Sequence, residues 1–126
     1  MSIFRGSALF LALLSITVAP ALADGWAHIY NKSSNCVTFY LQPLFYTQPN
    51  RGPQPVGAPQ KQTLAAGTHL SVYVHHGTPY YKVTAHPHHT DCSSAESGHT
   101  ETIWPNIAST NTMITYAAGG HLSDRP

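Results

Sequence analysis

Nine histidines and two cysteines are the residues of this 126-residue chain best able to do chemistry. The densest group is His86-Pro87-His88-His89. A proline turns the residue before it away from helical conformation, and extended chain sends alternate side chains to one side. His86 and His88 should therefore point together, as two imidazoles able to reach one metal ion. If His76 to Pro79 is a four-residue turn, His75 faces Tyr80. Carrying that register back sets His69 opposite His86, at the ~4.5–5.5 Å Cβ separation of directly opposed residues. A two-residue turn at His76-Gly77 would instead bring Thr84 opposite His69. In the loop beyond, His89 and His99 with Asp91 and Glu96 offer further nitrogen and oxygen donors. The expected metal set is His69, His86, His88, His89 and His99, which suits copper, zinc or nickel rather than a thiolate-loving ion. Its spacing matches no established motif such as a helical His-Glu-x-x-His, and histidine-rich tracts also serve as plain polar surface. His75 and His76, as neighbours near a strand end, face opposite ways and read as turn residues that could sense pH with the others.

His28 depends on the beginning of the chain. Arg5 is the only charge before an apolar run from Ala8 to Val18, which leads to Ala21-Leu22-Ala23. This is the pattern of a signal peptide, residues 1–23, cleaved after Ala23. The run is too short for the ~20 apolar residues of a membrane span, so no span is expected in the mature protein. A cut after Gly25 would leave Trp26-Ala27-His28 as an amine-and-imidazole copper or nickel chelate, and a cut after Ala27 would expose His28 itself. The Ala21-Leu22-Ala23 site and a core role for Trp26 favour the earlier cut.

Export places Cys36 and Cys92 in an oxidising compartment, outside the cell or in a periplasm, where they should form a disulfide. Closing a loop of roughly 57 residues would stabilise a fold by about 4 kcal/mol, less any strain. Nucleophilic catalysis would need a serine or cysteine activated by a positioned base; no serine sits in a Gly-x-Ser-x-Gly turn, and the disulfide would use both cysteines. Asp91, Glu96 and Glu101 all fall in one polar region and read as solvated loop rather than paired catalytic carboxylates. Asn31-Lys32-Ser33 is a glycosylation sequon.

The elements that must position these residues read as strands. Trp26 to Tyr30 and Cys36 to Leu41 flank a polar turn and suggest a hairpin, with Val37, Phe39 and Leu41 on one face. Residues 42–60 hold five prolines and two glycines, and read as a long exposed loop. It begins with Leu44-Phe45-Tyr46, expected to fold back onto the core. Leu70 to His75 and Tyr80 to His86 alternate around a turn and suggest a second hairpin. Residues 87–99 form a histidine- and serine-rich loop, Thr100 to Trp104 and Met113 to Ala117 are the last strands, and 119–126 read as a flexible tail. The expectation is an all-β fold, a small antiparallel β-sandwich or barrel with one disulfide, forming a single β domain over 24–118.

Past the leader, Lys32, Arg51, Lys61, Lys82 and Arg125 balance Asp24, Asp91, Glu96, Glu101 and Asp124, so nothing resembles the basic footprint of a nucleic-acid binder. The leading functional expectation is a secreted, non-enzymatic binding module of the cell envelope or extracellular space, with a protein or surface partner. A histidine-rich copper, zinc or nickel protein is the second, and a small secreted enzyme the third.

Overall fold

The computed structural model describes residues 24–45, 51–75, 80–107 and 112–124; the expected leader, Tyr46 and the turn at 76–79 lie outside them. Within these residues the chain is all strand: β1 (Asp24–Asn31), β2 (Val37–Phe45), β3 (Gln54–Pro55), β4 (Gln60–Leu64), β5 (His69–His75), β6 (Tyr80–Pro87), β7 (Glu101–Ile103), β8 (Thr112–Tyr116) and β9 (Leu122–Ser123). No helix among them is long and apolar enough to cross a membrane. One sheet has the order β5-β1-β8-β9 and the other β3-β2-β6-β7, with β4 also on β2. All pairs are antiparallel except β1 with β8.

Alternation explains how the sheets meet. Ala27 and Ile29 of β1, Val72 and Val74 of β5, and Ile114 and Tyr116 of β8 are buried on one side of the first sheet. They join Val37, Phe39 and Leu41 of β2 and Tyr81, Val83 and Ala85 of β6 in one apolar cluster. Each fully buried large aliphatic or aromatic side chain contributes about 1.5–3 kcal/mol. Phe39 meets Tyr116 edge to face across the sheets, with ring centroids 6.5 Å apart. Burial pushes the Tyr81 phenol up to about 12, because the buried ring disfavours a phenolate.

Neither expected hairpin forms. β1 pairs with β5, setting Tyr30 against His69 and Trp26 against Tyr73, whereas β2 pairs with β6, setting Thr38 against His86. The two strands of each expected hairpin thus enter different sheets, because an apolar inner face is buried equally well in either. The corner between β1 and β2 is held by Asn31, 1% exposed. Its Nδ2 donates to the carbonyls of Asn35, Leu64 and Ala65 at 2.8, 3.0 and 3.2 Å, and its Oδ1 accepts from the Ser33 amide and hydroxyl. A glycan on that Nδ2 is incompatible with this packing, so the sequon serves as a structural corner. The neighbouring 65–68 turn uses Gly67 at φ +74°, a conformation open to glycine.

The proline-rich stretch is more ordered than a plain loop. β2 continues through Pro43 to Phe45, and β3 lies inside the stretch. Pro43 accepts from the Val56 amide through its carbonyl. Its missing donor falls where the edge of β2 passes from β4 to β3, a place that tolerates proline. Leu44 is buried and Phe45 half exposed, so only the first turns onto the core. The expected tail also carries structure: Leu122 is buried and β9 pairs with β8, after a turn in which the Gly120 amide donates to the Ala117 carbonyl. One buried leucine is too small a pattern to be seen in the sequence.

Candidate functional site

The histidines expected to share a metal occupy opposite sides of the sandwich. His69 lies on the outer face of the first sheet, where its ring stacks on Tyr30 at 5.3 Å. His86 and His88 share the outer face of the second sheet, as alternation predicts, yet both are engaged. His88, 8% exposed, has Nδ1 2.8 Å from the Ser94 carbonyl and Nε2 2.8 Å from the Thr38 hydroxyl. A carbonyl only accepts, so Nδ1 carries a proton, and Nε2 is hydrogen-bonded to the Thr38 hydroxyl. The Thr38 hydroxyl is in turn 3.1 Å from that of Thr63. His86 lies 3.3 Å from Glu96 through Nδ1 and stands edge-on to Tyr40 at 4.9 Å, beside the Lys61 ammonium over that same ring.

The 87–99 loop packs on the His88 end of this face, beside the start of β2. His88 bridges to Glu96, the His89 amide donates to the Ala95 carbonyl, and the Ser97 amide to the Pro87 carbonyl. Cys36 at the start of β2 is bonded to Cys92 in the loop, and Asn35 Nδ2 donates to the carbonyls of His88 and His89. Asp91 turns the loop tip by accepting from the Ser93 hydroxyl and from the amides of Ser93 and Ser94. These bonds hold its carboxyl below the usual carboxylate range.

Of the remaining expected ligands, His89 and Asp91 share the wall of a cavity of about 590 Å³ with Asn35, Ala66 and the disulfide. His99 is elsewhere, 3.6 Å from Glu101, whose other oxygen is 4.0 Å from His121. Among the described residues no three of His, Cys, Asp and Glu gather as a metal site.

The first sheet offers a different surface. Three rungs of β1 and β5 face outward in succession: Trp26 with Tyr73, His28 with Ser71, and Tyr30 with His69. Trp26 is 44% and Tyr73 50% exposed, and their rings meet edge to face at 5.3 Å. His28 Nδ1 is 2.7 Å from the Ser71 hydroxyl. Lys32 reaches over the Tyr30 ring at 6.0 Å. No known family, characterised protein or solved structure matches this chain, so the surface must be read from its own chemistry. Trp26, expected in the core, is on the outside because Ala27 and Ile29 take the inner face. The signal was present in β1 itself: His28 lies between Trp26 and Tyr30 at a spacing of two, which marks the polar side. Tyr73 and Ser71 were hidden by the expectation that β5 pairs with β6.

Proposed function

We propose that this chain is an exported, non-enzymatic binding module of the cell envelope or extracellular space, and that the outer face of the β5-β1-β8-β9 sheet takes its partner. The observation that carries the reading is the pair of exposed rings at the Trp26–Tyr73 rung, followed along the strands by a hydrogen-bonding rung and a stacked one. Clustered exposed aromatic surface is the usual mark of an interaction site, and rigid aromatic anchors contribute most of the affinity in many interfaces. The leader pattern and the Cys36–Cys92 bond support export. The non-enzymatic part rests on the sequence, which holds no nucleophile pattern. Copper, zinc or nickel gain no support from His69 with His86 and His88, because strand pairing sets the first apart from the other two.

The test is retention of the purified chain on whole envelopes of the producing cell, wild type beside Trp26→Ala/Tyr73→Ala. The expected result is retention of the wild type and its loss in the double variant, with an unchanged melting curve. Equal retention of both would move the binding site away from this face.

A further inference from the structure

We infer that the ligand of this face is a neutral polysaccharide, laid along β1 and β5 across the three outward rungs. The inference rests on the binding-face reading above and names the chemistry of what binds there.

Shape comes first. The surface is the outside of a sheet, where side chains stand on an open plane; the cavity beside the disulfide is at the 33–36 and 89–92 turns instead. An open plane suits an extended ligand with flat apolar faces and polar edges. A pyranose chain has both: axial C–H groups make each ring face apolar, while hydroxyls line its rim.

The side chains supply the complementary groups in the matching order. Trp26 and Tyr73 present exposed aromatic surface at one end, and the Tyr30–His69 stack lies four residues further along β1, about 13 Å at ordinary strand rise. Between them the His28 imidazole and the Ser71 hydroxyl are groups that both donate and accept, as sugar hydroxyls require. The edge-to-face and stacked contacts hold the rings in place before any ligand arrives, which lowers the ordering cost of binding.

Charge decides between kinds of polymer. Among the described side chains of these three rungs there is no carboxylate and no permanent cation. Lys32 at the border of the face is turned onto the Tyr30 ring. A polyanion, whether nucleic acid or acidic polysaccharide, is bound through clustered Lys and Arg, and none cluster here. A protein partner would be expected to meet a charged or polar rim around its aromatic anchors, and a single lysine is a sparse one.

The test uses two probes prepared from the same envelopes: the polysaccharide freed of protein by exhaustive protease digestion, and the solubilised envelope proteins, each immobilised. The wild-type chain should be retained on the polysaccharide, with retention at least about tenfold weaker for Trp26→Ala/Tyr73→Ala. Trp26→Phe should retain most of the binding, and unchanged melting curves show that each variant is folded. Retention on the protein probe alone, still lost in the double variant, overturns the polysaccharide and leaves the binding face standing. Retention on the polysaccharide that the double variant keeps in full overturns both. Failure of the wild type to be retained on the polysaccharide overturns the inference.

Discussion

Both outer faces of this sandwich carry histidine and tyrosine, but in different surroundings. On the second sheet, His86 and His88 are held by the loop that the disulfide ties to the start of β2, through Glu96 and the Ser94 carbonyl. On the first, Trp26 meets Tyr73, His28 meets Ser71 and Tyr30 stacks on His69, and the Trp26 and Tyr73 rings stay about half exposed. A histidine is therefore a structural post on one face and part of an open surface on the other. What separates the two roles is whether a segment of chain returns over the sheet, and residue identity does not report that.

The largest break in this contrast should come from the face on which the loop packs. Replacing Cys36 and Cys92 with alanine should destabilise the protein by about 2–5 kcal/mol and expose residues 88–97 to protease. The checks are a denaturant titration and mapping of the first cut. Resistance of that loop in the double alanine variant would mean that hydrogen bonds alone hold it.

Next in size is His88→Ala, which removes the ring that links the Thr38 hydroxyl to the Ser94 carbonyl. A loss of about 1–3 kcal/mol is expected, read as a shift in unfolding midpoint. A second histidine substitution, His69→Ala, removes only an exposed stack and should cost less than about 1 kcal/mol. Equal costs would erase the distinction between the faces.

Tyr81 lies in the core beneath both sheets and provides a reference that treats them alike. Its folded pKa is raised to about 12, while the unfolded phenol ionises near 10, so its contribution is fully present below pH 10. It is lost as the pH climbs toward 12. At pH 11 stability should fall by no more than about 1.4 kcal/mol on this account, and Tyr81→Phe should flatten that fall in unfolding curves taken from pH 9 to 11.

The smallest effect on stability belongs to the open face. Trp26→Ala and Tyr73→Ala should each change folding stability by about 1 kcal/mol or less, while removing envelope retention. Calorimetric melting beside the binding assay separates the two quantities. A large loss of stability from either substitution would make the rings part of the scaffold.

Some of this was legible in the residues. Val37, Phe39 and Leu41 share one face by alternation, and all three are buried. The Cys36–Cys92 bond followed from there being two cysteines and an export pattern. Trp26 was misplaced because bulk suggested the core, although its spacing from His28 and Tyr30 said otherwise. Asn31 read as a sequon in a turn, since nothing local reveals that the 64–65 backbone closes over it.

The sequence by itself determined that the chain makes strands, which side of most strands is apolar, and which two sulfurs join. Those properties repeat every two residues or follow from counting, so they are local. Only the tertiary structure decided that β1 pairs with β5 and β2 with β6, that His69 parts from His86, and that the 87–99 loop packs against His86 and His88. Strand partners are chosen by closing loops and filling one shared core, and that free energy belongs to the whole chain.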